Sequence, residues 1–357
     1  MKIDFLKFLL LSMLALVAIS SCVGCSTVGY YAQGITGHLA LMHQREPIDE
    51  LLENEGLEKS RQEQLQAAQT IRDFASQQLG LPDNGSYRSY VELDRDYVVW
   101  NVVATPAFSL KPLEWCFPIA GCVSYRGYFS REDAEAFAAE LKRQGHDVVV
   151  NPVPAYSTLG WFDDPVLSSM IHQGELLLAQ TIFHELAHQQ LYVKDDSVFN
   201  EAFASTVGEQ GVFRWLKEAG RIEDLVRYQK YLTRKGEFLD LLKQTSEELQ
   251  QLYQQKLPTE KMRTEKAALF ARLRENYNLQ KNRWGGYEGY DRWFDRELNN
   301  ARLASIAVYR DRVPDFVRWL DVCDGKFPKF YAAMKQLGKQ EKQARQKRLQ
   351  GPADCSG

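Results

Sequence analysis

The strongest constraint in this chain is a pair of histidines four residues apart in an apolar stretch, Thr181-Ile182-Phe183-His184-Glu185-Leu186-Ala187-His188. On an α-helix, residues four apart share a face, so both imidazoles can point at one metal ion. Glu185 follows the first histidine, where a carboxylate can take the proton of a metal-activated water. Leu176, Leu177, Leu178, Ile182, Phe183, Leu186 and Ala187 make the surrounding helix apolar. A helix of that composition is buried, so the fold must enclose it and bring further ligands to it.

A catalytic zinc site takes three protein ligands and leaves one position for water. The polar stretch Lys194-Asp195-Asp196-Ser197 reads as a turn, and Phe199-Asn200-Glu201-Ala202-Phe203-Ala204 as the start of a second helix. If the two helices form a hairpin centred between Lys194 and Asp195, His188 and Glu201 lie equally far from the bend and face each other. Glu201 is therefore the expected third ligand to one Zn2+ per chain. Glu209, two turns further on, is the alternative ligand or a partner to a ligating histidine. His172 is the remaining nearby histidine, and a first-turn carboxylate favoured by the helix dipole is the plain alternative for Glu201.

With 357 residues the chain has room for two domains, and 45% apolar against 25% charged residues is an ordinary globular mix. Lys plus Arg is 44 against 47 Asp plus Glu, a near-balance that gives no support to a nucleic-acid binder. Residues 1–24 read as a lipoprotein signal and anchor. A lysine-bearing head precedes the apolar run Phe8–Ile19, which is too short to span a bilayer, and Ile19-Ser20-Ser21-Cys22 resembles a lipobox. Cys25 is the second candidate for lipidation. This points to a bacterial envelope protein facing the periplasm, held to the outer membrane by acyl chains. In that oxidising compartment Cys116 and Cys122 could close a small loop, while a Cys323–Cys355 pairing stays open.

Residues 25–164 read as a helical segment, Gly29 to about Leu79, followed by a small α+β module. Its signals are the β-rich runs Tyr97–Ala104 and Asp147–Val150, with a helix capped by Ser130 between them. Residues 165–338 read as mainly helical, with Pro165 at a first helical position and a charged hairpin over 235–277 standing out from the core. Residues 339–357 read as a charged tail, a solvated and fraying helix. The expected fold class is α+β, predominantly α.

The stretch His184–Gln189 followed by Phe199–Ala204 resembles a bacterial family of lipoproteins predicted to be aminopeptidases, whose motif reads HELAHQ, then YV, then FNExFA. Similar segments include Cys25–Gln33, Trp115–Pro118 through Cys122, Tyr125–Phe129, Ala155–Phe162, Leu298–Leu303 and Val313-Pro314. The resemblance favours Cys25 as the lipidated residue, against the lipobox reading. It implies a gluzincin-like, zincin-type helical core, with His184, His188 and Glu201 on zinc and Glu185 as base, acting on peptides. Tyr309, Tyr156 and Arg302 sit in family-like segments and are candidates for stabilising an oxyanion. The other readings are a metal-dependent hydrolase of cell-wall peptides or other amides, and a non-enzymatic envelope lipoprotein. Protein partners are not legible.

Overall fold

The computed structural model describes residues 28–117, 121–307 and 312–355. Helix α1 (28–43) leads into strand β1 (Glu46–Pro47), helices α2 (Ile48–Leu52) and α3 (Lys59–Gln77), and strand β2 (Ser89–Val91). Strands β3 (Val99–Pro106), β4 (Trp115–Phe117), β5 (Gly121–Val123) and β6 (Arg126–Tyr128) follow, then α4 (Arg131–Arg143) and β7 (His146–Val153). Beyond them come β8 (Val166–Leu167), α5 (Ser168–Ile171), α6 (Glu175–Gln190) and α7 (Ser197–Glu218). The long helices α8 (Ile222–Tyr253) and α9 (Thr259–Arg283) precede α10 (Asp291–Phe294), α11 (Asn300–Ala307), α12 (Val313–Val322), α13 (Phe327–Gly338) and α14 (Lys342–Gln350). The fold is α+β and predominantly α, as expected. The leader and both of its cysteines, Cys22 and Cys25, lie outside the described residues.

The stretch expected as one helical run from Gly29 to Leu79 is three helices. Pro47 cannot donate a backbone hydrogen bond and sits in β1, and Asn54 Oδ1 accepts from the Gly56 N–H at 2.9 Å to close a turn before α3. Pro165 does not open a helix either. It precedes β8, which pairs in parallel with β2, Tyr90 opposite Val166. Both residues of β8 are buried, so a strand pairing rather than a helical turn satisfies this backbone.

The α+β module is a three-stranded sheet in the order β6-β3-β7, antiparallel throughout. Ser130 caps α4 as its sequence suggests, accepting from the Asp133 N–H at 3.1 Å. Val102, Ala104 and Val148 face α4 through Ala134, Ala138 and Leu141, while Val103 and Val149 face Ala301 of α11. The alternation of a strand thus buries both sheet faces under helices.

Helices α8 and α9 form the expected hairpin with a core of their own, including Phe238, Leu242, Leu249, Phe270, Leu273 and Tyr277. It is tied to the sheet by Lys266, whose Nζ lies 2.5 Å from Asp147 Oδ2 and 2.8 Å from the Ala107 carbonyl. The solvated tail is a correction. In α14, Arg345 and Leu349 are buried, and both Arg318 and Trp319 donate to the Leu349 carbonyl. Cys323 and Cys355 are joined, which fastens the end of the chain to α12. Among the described residues, no helix is long and apolar enough to cross a membrane.

Candidate metal centre

Helices α6 and α7 form an antiparallel pair at the middle of the main core. The apolar face of α6 (Leu178, Ala179, Ile182, Phe183, Leu186, Ala187) is fully buried, which turns His184 and His188 toward α7. Gly208 permits the close approach: a Cβ there would stand 2.9 Å from the Gln180 carbonyl and 3.4 Å from His184 Cβ. The turn is braced by Asn200, whose amide donates to the Val193 carbonyl and accepts from the Val193 N–H, each at 2.8 Å. Asp196 caps α7 by accepting from the Phe199 N–H at 3.3 Å. Its other carboxylate oxygen is held by Arg345 of α14, at 2.5 and 3.0 Å.

This scaffold gathers three side chains. His184 Nε2 and His188 Nε2 are 3.1 Å apart, and the Glu201 carboxylate lies 3.4 Å from the first and 3.6 Å from the second. A tetrahedral ion with bonds near 2.0–2.1 Å spaces its ligands about 3.4 Å apart. Glu201 offers one oxygen toward each histidine, so the trio could hold one ion, and two imidazoles with one carboxylate are a donor set that zinc accepts. His188 and Glu201, expected to face each other across the bend, lie 3.6 Å apart.

Electrostatics around the trio follow from burial. Desolvation pulls His184 down, but the hydrogen bond to Glu201 and the charges of Glu185 and Glu201 outweigh it and leave the imidazole above its ordinary value. His188 drops to about 4, through burial first and His184 second. Burial raises Glu201, yet His184 and His188 together hold its carboxyl below the usual range. Glu185 is raised by desolvation, then by Glu201, against the opposing pull of His184.

The base candidate also has a built surround. The Asp164 carboxylate accepts from the Thr158 N–H and hydroxyl at 2.8 Å each and from the Ser157 hydroxyl at 3.3 Å. The polar loop before α6 is thus a structural turn, and it presents Ser157 where its hydroxyl draws the Glu185 carboxyl down. Tyr87, fully buried at a positive φ of 62°, feels the charges of Glu185 and Asp164.

The family model described as "Putative aminopeptidase" matches residues 29–349. The chain belongs to that family. No curated protein and no solved structure matches it. Membership in an aminopeptidase family supports a peptidase role in general, and the trio is where this member could hold a metal.

Other sequence candidates fall elsewhere. Glu209 is buried beside Lys235 Nζ at 3.4 Å, and the described trio is completed by Glu201 instead. His172 is exposed at the end of α5. Arg302 is buried, donates to the Trp293 carbonyl at 3.1 Å and lies over the Trp293 ring, a packing role at the base of the hairpin. Its neighbours Asn299 and Asn300 bond the backbone of Val148 and Ala107, joining α11 to the sheet. Tyr156 packs against His38 and Phe129. Tyr309 lies outside the described residues. Cys116 and Cys122 are joined across β4 and β5, as expected, and Gly121 of that hairpin sits against Asp195 of the α6–α7 turn.

Sequence reasoning missed Tyr125, which follows this hairpin. Its phenol is pushed up to about 12 by desolvation and then by Glu201, Tyr192 and Glu185, so it belongs to the electrostatic surround of the site. Tyr192 is the other addition, its ring 6.4 Å from His188. The segment holding Tyr125 stood out in the sequence, but its approach to α7 depends on a hairpin docking that no local pattern encodes.

Proposed function

We propose that the chain is a zinc-dependent peptidase of the bacterial envelope, with one zinc held by His184, His188 and Glu201 and with Glu185 as general base. The observation that carries this reading is the grouping of His184, His188 and Glu201, one ligand atom from each within 4.8 Å of the others, on a buried helix pair. Zinc in such a site supplies a Lewis acid that acidifies water and polarises a carbonyl. Glu185, raised by burial, is suited to take a proton from the attacking water and return it to the leaving amine. Anchoring through Cys22 or Cys25 is part of the same proposal and rests on the apolar leader alone.

Metal content and turnover test it together. One zinc per wild-type chain is expected, lost in His188→Ala. Glu185→Gln should keep the metal and lose about 100-fold or more of peptide-cleaving turnover. Full activity in Glu185→Gln overturns the base assignment, and a wild type that takes up no zinc overturns the metal centre.

A further inference from the structure

Helix α1 carries an outer face that an ordinary surface helix would not. Its inner face docks on the sheet: the Gln33 side chain donates to the Gly127 carbonyl and accepts from the Phe129 N–H, and Tyr30 packs on Tyr128. Turned away from the protein are Val28, Ile35 and Leu39, each about 60% exposed or more. A solvent-facing helix face is normally charged. Here no aspartate or glutamate occurs between Asp4 and Glu46.

A second apolar surface adjoins it. In the loop before β8, Trp161 is 72% exposed and Phe162 is 52% exposed. The Phe162 ring lies 4.7 Å from His38 of α1, and Arg45 beyond the end of α1 donates to the Asp163 carbonyl at 2.9 Å. The two surfaces are thus held together as one face, although they come from segments more than a hundred residues apart. Contiguous exposed apolar surface of this kind marks a contact with something.

We infer that this face, Val28, Ile35 and Leu39 of α1 with Trp161 and Phe162, lies on a lipid bilayer. The observation that selects lipid is where α1 begins: residue 28 follows within six positions of Cys22 and three of Cys25, the two candidate lipid anchors. A helix starting next to a membrane-seeking segment, apolar outward and free of carboxylates, can lie in the interfacial plane, with a tryptophan at headgroup depth. At 1.5 Å per residue, its 16 residues extend about 24 Å along that plane. The same loop meets the helix of the histidine pair, since a Cβ on Gly160 would stand 3.2 Å from Gln189. The contact face therefore adjoins the end of α6. This inference rests on the anchoring part of the proposed function and not on its peptidase chemistry.

The test uses the full chain on vesicles of phosphatidylethanolamine and phosphatidylglycerol, with and without bromine on the acyl chains. Bromine should quench tryptophan emission in the wild type. Trp161→Phe should lose most of that quenching, although six other tryptophans remain of the seven. Ile35→Glu with Leu39→Glu should lose it too, while the lipidated chain still floats with the vesicles through its acyl anchor and keeps its thermal transition. Equal fractional quenching in wild type and Trp161→Phe overturns the proposal. A dimer in detergent that the glutamate pair dissociates, with quenching unchanged, overturns it in favour of a second copy on this face.

Discussion

Glu201 and Glu209 show how one helix sorts two carboxylates. They are eight residues apart, which rotates their side chains by about 80° at 3.6 residues per turn. Gly208 is nearly in phase with Glu201, and its bare Cα lets α6 close down beside His184. Glu209 turns aside to Lys235 of α8. Glu201→Ala is therefore expected to lose the metal. Glu209→Ala should keep it and lower stability, because Lys235 would lose a buried partner; metal analysis with urea denaturation separates the two. A pH prediction belongs here too. His184 holds its proton above the ordinary histidine range, and a metal must displace that proton. Zinc affinity should fall as pH drops through and below neutrality, with His184 as the main contributor. His188, at about 4, is already neutral there. Calorimetric zinc titrations between about pH 5 and 8 check this; a flat profile contradicts the assignment.

The α6–α7 hairpin holds His184, His188 and Glu201 together because its turn is locked from three sides. Asn200 clamps Val193, Asp196 caps the helix that carries Glu201, and Arg345 neutralises Asp196 in a buried pair. The remaining Arg345 donors go to the Gly338 and Gln340 carbonyls, and its guanidinium lies 5.4 Å from the Phe199 ring centre. Removing one partner of a buried ion pair costs about 3–5 kcal/mol. Arg345→Ala should lose stability on that scale and weaken zinc binding, although it lies on a different helix from every ligand. Denaturant midpoints and a chelator competition would measure both effects. Unchanged zinc affinity would mean that the C-terminal helix stabilises the fold without positioning Glu201.

At the scale of the molecule, long-range fastenings hold a helical core against a small sheet. Lys266 and Asp147 bind the α8–α9 hairpin to the sheet, and the bond between Cys323 and Cys355 closes a loop across 32 positions of sequence. A loop of that length is worth about 3–4 kcal/mol of restricted unfolded chain. Paired Cys323→Ala and Cys355→Ala should lower the denaturation midpoint accordingly. They should also make α14 the first element to exchange its amide protons, and thus link redox state to the Asp196 brace.

The sequence by itself determined the helix that carries the histidine pair, because the four-residue spacing of His184 and His188 and the apolar residues around them are local facts. It also pointed to the approach of Glu201 to the histidines, because a short polar turn makes distance from the bend a proxy for height. The cap at Ser130, the strands around Val102 and Val149, and the charged hairpin were legible for the same reason: periodicity and turn chemistry act within a few residues. Only the tertiary structure decided the rest. The pairing of β8 with β2 overrode the helical signal at Pro165, and the Asp196 carboxylate drew a basic tail into the interior. Docking of the Cys116–Cys122 hairpin brought Tyr125 to the site, while packing on Trp293 took Arg302 into a structural role. Each of these depends on contacts between distant segments. Burial and charge pairing there are set by the partner, and no window along the chain contains both partners.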